Sequence, residues 1–189
     1  MVLSIQKSKN FCDEVIRRCG DNFRRCLHCL SCAGGCPVNH AMTYRPNGIF
    51  RLIQFGMQKE VLESSDIWLC LGCNTCTIAC PMAIDIAAVI NSLREIAIEK
   101  KVPIAEPDIL NFHQEVLNSI QRHGRTHKLE IMLLYKLRRW DFFSDMNIGL
   151  KMLAKRKLDL LPSTIADPGL LNELLTQGKG LEDGHPATD

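Results

Sequence analysis

The chain has 189 residues, 46% hydrophobic and 23% charged, enough for one ordinary globular core and an appended segment. Its 23 Lys and Arg against 21 Asp and Glu leave a net charge of +2, too near balance to designate nucleic acid or an anionic membrane as a partner. The balance is local only: residues 1–120 hold 12 basic and 12 acidic groups, 121–157 hold 10 and 3, and 158–189 hold 1 and 6. A basic arm therefore precedes an acidic tail, each either a solvated surface or a docking face for a partner protein.

The opening stretch MVLSIQKSKNFCDEVIRRCG lacks the apolar core and small-residue cleavage site of a secretory signal, and no run of about 18 apolar residues occurs anywhere. The expectation is a soluble, cytoplasmic protein. Ten cysteines in such a compartment point to metal binding before disulfides, because thiols there are kept reduced.

In chain order, the first element reads as a helix carrying Cys12 and Cys19 about two turns apart on one face, either as free thiols packed as small hydrophobes or as a further ligand or redox pair. A cysteine run follows: Cys26, Cys29, Cys32 and Cys36, then Pro37. Helical spacing through Ile49, Leu52, Ile53, Gly56, Met57, Glu60 and Val61, started by Pro46 and Asn47, predicts a single linking helix. The run then recurs 44 residues after the first, as Cys70, Cys73, Cys76 and Cys80, then Pro81.

Asp85 is placed to cap a helix with Ile86, Val89, Ile90, Leu93, Ile96 and Ala97 on its apolar face, ending at Lys100 and Lys101 before Pro103. Glu106 and Pro107 start another that stops at Gly124. Helical stretches over Ile131–Trp140 and Ser144–Lys157 follow, then a short one capped by Asp167 and Pro168. No alternating strand pattern stands out, so the fold class is all-α.

The spacing CxxCxxCxxxCP, present twice, is the pattern that holds [4Fe-4S] clusters. Thiolates at i, i+3 and i+6 wrap one cubane in a tight loop and leave one iron to be ligated from elsewhere. In two-cluster ferredoxins the cysteine before the proline ligates the other cluster. The expected sets are therefore Cys26, Cys29, Cys32 and Cys80 for one cluster, and Cys70, Cys73, Cys76 and Cys36 for the other. Zinc sites commonly use two CxxC pairs a dozen or more residues apart and need no third cysteine three residues on.

Several neighbours bear on such clusters. Arg24 and Arg25 either offset cluster charge or form a plain surface pair, and His28 lies between two ligands as a tuning or an exposed residue. Ile67, Trp68, Ile78, Met82 and Ile84 are expected to exclude water around the second run. No dinucleotide fingerprint, phosphate loop or catalytic triad is readable, so no catalytic residue is assigned and the chain is expected to carry electrons only.

The segments CLHCLSCAGGCP (26–37) and IWLCLGCNTCTIACP (67–81) resemble the C subunit of heterodisulfide reductase from methanogens and related anaerobes, over most of residues 10–160. The motif is shared with the iron–sulfur subunits of fumarate reductase, succinate dehydrogenase and anaerobic glycerol-3-phosphate dehydrogenase. The absence of an upstream two-iron cysteine run and of an adjacent Cys-Cys pair favours the stand-alone C subunit. The helical pattern and the composition of the end predict a helical ferredoxin-like domain with both cysteine runs at 1–105, a helical extension at 106–161, and a partner-docking or flexible tail at 162–189. The resemblance implies a role in methanogenesis: relaying electrons from a flavin- and iron–sulfur-bearing A subunit to a cysteine-rich B subunit that reduces the coenzyme M–coenzyme B heterodisulfide. A hydrogenase or formate dehydrogenase would complete the larger assembly.

Overall fold

A computed structural model describes residues 2–139 together with residues 151, 152, 155 and 173. The helices expected at 144–157 and after Asp167, and the tail at 162–189, lie outside the described residues, apart from those isolated positions. Among the described residues every regular element is helical and none is a strand. None of these helices is long and apolar enough to cross a membrane. The chain divides into two compact units, one running to Glu106 and the other starting at Pro107.

The first unit is built on α1 (Val2–Cys19), α3 (Pro46–Gln54) and α7 (Ile86–Glu99), with α1 packed on both of the others. Its core joins Val15 of α1, Phe23, Ile49, Phe50 and Ile53 of α3, and Val89, Ile90, Leu93 and Ile96 of α7, all buried. Phe23 stacks on Phe50 with ring centres 5.4 Å apart. Asp85 caps α7 by accepting the Ala88 N–H at 3.0 Å, and the apolar stripe read from the sequence is the buried face of that helix. Cys12 is buried and Cys19 half-buried, and burial pushes both thiols above their ordinary range.

The linker departs from the single helix expected. It is broken into α3 and α4 (Gln58–Leu62), which pack against each other across a tight turn. Gly56 ends α3 with φ +70°, and the Met57 N–H returns to the Leu52 carbonyl at 2.9 Å while the Gly56 N–H reaches Ile53 at 2.9 Å. These are the two bonds of a Schellman stop, and a residue with a Cβ takes that left-handed conformation only at a cost. The turn lets Val61 and Leu62 fold back into the core.

Three short helices complete this unit: α2 (Ser31–Gly34), α5 (Asp66–Leu69) and α6 (Thr75–Ile78). The second unit contains α8 (Pro107–His123) and α9 (Lys128–Arg139), packed together with Phe112 edge-on to Tyr135 at 5.7 Å. Gly124 closes α8 with φ +72°. Arg122 and His123 at its end both meet Glu130 of α9, at 2.5 and 2.8 Å.

Candidate functional site

Each cysteine run folds as a loop followed by one helical turn, and the two runs share a backbone. Cys26 and Cys70, the first of each, have the same φ and ψ of −60° and 123°. Two residues on, His28 and Gly72 are left-handed at φ +53° and +62°, and two further on Leu30 and Asn74 repeat this at +67° and +59°. Two left-handed residues in so short a span curl the chain around a point rather than along a line, which brings side chains three apart to one side. α2 and α6 then continue each run and lie against each other. The approach is close: a Cβ on Gly35 would sit 3.3 Å from Cγ2 of Thr75.

Two cavities result, of about 330 and 440 Å³ counting their open mouths. Cys26, Cys29, Cys32 and Cys80 line the smaller, with Phe50, Pro81, Met82 and Ile86. Cys36, Cys70, Cys73 and Cys76 line the larger, with Pro37, Pro46, Ile86 and Ile90. Each cavity thus gathers three cysteines of one run and the pre-proline cysteine of the other. Among the described residues, no three His, Cys, Asp or Glu side chains converge on one ion-sized point. A lone zinc needs four ligands at about 2.0–2.3 Å, so four thiols spread around a cavity suit a larger group such as a cubane.

The thiols fall into matched environments. Cys29 and Cys73 are exposed, and hydroxyl contacts from Ser31 at 3.3 Å and Thr75 at 3.4 Å hold both below the ordinary thiol range. Burial pushes Cys32 and Cys76 up. Iron is ligated by thiolate, so ionising the second pair costs more than ionising the first, a cost that the positive charge of a metal group would offset.

The surrounding residues only partly follow the sequence reading. Ile67, Trp68 and Ile84 are buried and Met82 half-buried, but Ile78 is 85% exposed and shields nothing. It follows Cys76 by two residues, on the outer side of a single-turn helix. Leu27 and Leu71, each following the first cysteine of its run, are 65% and 67% exposed. His28 is half-buried; its N–H donates to Cys26 Sγ at 3.4 Å and its Nε2 meets Gln54 Oε1 at 3.3 Å. Arg24 and Arg25 are tied to Asp13 and Asp21 at 2.6 and 2.9 Å.

Gln54 and Arg94 were not singled out by sequence. Both sit on the helix following their run, and the signal available was the repeat of α3 by α7, 40 residues on. Arg94 Nε donates to the Ile67 carbonyl at 2.6 Å, and its Nη2 to the carbonyls of Trp68, at 3.3 Å, and Cys70. Asp66, 1% exposed, accepts the N–H groups of Thr43 at 2.7 Å and Tyr44 at 2.9 Å, fixing the chain that leaves the first run.

Residues 22–84 match the family described as a 4Fe-4S dicluster domain. The chain is 36% identical over 101 residues to the second iron-sulfur C subunit of CoB–CoM heterodisulfide reductase from Methanocaldococcus jannaschii, covering 49% of this chain and 54% of that protein. It is 35% identical over 75 residues to the iron-sulfur C subunit of CoB–CoM heterodisulfide reductase from Methanopyrus kandleri, covering 40% and 39%. It is 33% identical over 79 residues to the C2 subunit of the H2/formate:CoB-CoM heterodisulfide,ferredoxin reductase of Methanococcus maripaludis, covering 42% of each. The matches thus span about half or less of those relatives.

Proposed function

We propose that this chain, a relative of the heterodisulfide reductase C subunit with a 4Fe-4S dicluster domain at residues 22–84, is the electron-relay subunit of a heterodisulfide reductase complex. It holds two [4Fe-4S] clusters, one on Cys26, Cys29, Cys32 and Cys80 and one on Cys70, Cys73, Cys76 and Cys36. The observation that carries this reading is the exchange of the fourth cysteine between the two cavities. Two separate four-cysteine sites would not require it, and ligand exchange in two-cluster ferredoxins does.

Bound there, the clusters supply one-electron transfer without a change of ligands. The protein's own part is to position the thiolates, exclude water on the side of Phe50, Ile86 and Ile90, and leave an exposed edge at Leu27 and Leu71. No substrate site is assigned to the chain. Its place is in the cytoplasm, between a flavin-bearing A subunit and a catalytic B subunit, with a hydrogenase or formate dehydrogenase in the larger assembly.

The test is anaerobic purification from the native host, with metal analysis and identification of associated chains. About eight irons per chain and association with a flavoprotein and a cysteine-rich protein are expected. Four irons would remove the two-cluster reading. Copurification with a membrane dehydrogenase would replace the heterodisulfide reductase reading with that of another anaerobic iron–sulfur subunit, of the fumarate reductase or glycerol-3-phosphate dehydrogenase type.

A further inference from the structure

The two cysteine runs share a backbone, and the side chains that reach back to them from α3 and α7 differ in charge. Pro46, Ile49, Phe50 and Ile53 on α3 hold the buried positions that Ile86, Val89, Ile90 and Leu93 hold on α7, 40 residues on. The next residue in each row is polar and reaches back to the cysteine run before its own helix. On α3 it is the neutral Gln54, in contact with His28. On α7 it is Arg94, bonded to the Ile67, Trp68 and Cys70 carbonyls.

Arg94 also differs from the cations beside the first run. Arg24 and Arg25 are each neutralised by a carboxylate, Asp13 and Asp21. Arg94 makes no ion pair with a described carboxylate, and it also bonds Asn91 Oδ1 at 3.4 Å. Asp66, the buried acid of the helix that Arg94 grips, directs its carboxylate to the Thr43 and Tyr44 amides. A guanidinium stays protonated in proteins, so a positive charge with no ion-pair partner among the described residues is bonded to the backbone of a cysteine lining the second cavity, whereas its counterpart on α3, Gln54, is neutral.

We infer that Arg94 sets the two clusters apart in reduction potential, holding the cluster of Cys70, Cys73, Cys76 and Cys36 above the other. Reduction adds a negative charge, and a nearby fixed cation in a partly desolvated setting favours it. An electron shared between the two clusters then rests mainly on the second, which gives the relay a direction within one chain. This rests on the cluster assignment proposed above.

The test is a mediated redox titration of the anaerobically reconstituted full chain, followed by electron paramagnetic resonance, after iron and sulfide analysis. A wild-type chain lacking about eight irons would fault the cluster assignment itself, separately from Arg94. With both clusters present, Arg94→Gln, which copies α3, is expected to make reduction of one cluster about tenfold less favourable, about 59 mV for a one-electron couple. The wave that moves should be the one altered by Cys73→Ser. Arg94→Lys keeps the charge and should recover most of the shift.

Gln54→Arg provides a second route if Arg94→Gln does not assemble, and it should narrow the gap between the waves. Four results would overturn the inference: a wild-type order with the first cluster higher, no shift in either wave, equal shifts in both, or a fall in Arg94→Lys as large as in Arg94→Gln. An unchanged gap in Gln54→Arg would do the same.

Discussion

At the residue scale, the two cysteine runs act as controls for each other, because the same backbone is built with different side chains. Leu30 and Asn74 occupy equivalent left-handed positions, but an L-residue with an apolar side chain pays about 1–2 kcal/mol there, and Asn less because its amide bonds locally. Leu30 is also exposed, so its substitution forfeits little burial. Leu30→Asn should therefore stabilise the holoprotein by about 0.5–1 kcal/mol, read as a raised midpoint in anaerobic urea unfolding with unchanged slope. Asp66 is the opposite case, a buried acid with two backbone N–H groups as partners. Asp66→Ala leaves both donors orphaned and should cost about 2–4 kcal/mol in the same assay, with Asp66→Asn, which keeps one acceptor oxygen, falling between. Equal stability of the three proteins would show that water replaces the carboxylate there.

At the scale of elements, α1 is held to α7 by apolar packing and by a two-pronged ion pair, Arg18 to Glu99 at 2.8 and 2.5 Å. The hydrogen bonds from Arg18 hold the Glu99 carboxyl below its ordinary range. A folded-state pKa below the unfolded one gives a contribution that is present above about pH 4.3 and fades as pH falls through the lower folded value. Glu99→Gln should thus change stability little at the acid extreme and reduce it slightly at neutral pH, so that the gap between variant and parent closes on acidification. A gap that widens would rule the pair out. The helix starts and stops at Asp85, Pro107 and Gly124 were legible in the sequence because capping chemistry is local. The break at Gly56 carried the same local signal, but the apolar spacing continues through Met57 and Val61 and reads as one helix. Arg94 was not legible, since its partners lie 24 to 27 residues away and only the packing of α7 beside α5 brings them together. Arg24 and Arg25 were legible as cations, though not as cations already paired.

At the scale of the whole unit, the packed core and the proposed clusters do separate work. Ile49, Ile53, Val89 and Leu93 are buried and line neither cavity, whereas α2 and α6 are single turns too short to persist alone. Exchanged ligands would tie each run to the other, so that losing one cluster loosens both. Cys36→Ala makes this testable, because Cys36 belongs to the first run in sequence but lines the cavity of the second. If ligands are exchanged, the spectrum of the cluster on Cys70, Cys73 and Cys76 should change and that of the other persist, with Cys80→Ala giving the reverse. Perturbation of the cluster on each mutated cysteine's own run would refute the exchange. Chelation of iron from the parent protein should then raise amide hydrogen exchange over 26–36 and 70–80 together, while α7 is expected to stay protected, because Val89, Leu93 and Ile96 on its apolar face are buried and line neither cavity. Loss of protection in α7 to the same degree would mean that the clusters nucleate the core, as structural zinc does in small metal-dependent domains, and that the apolar packing alone is insufficient to hold it.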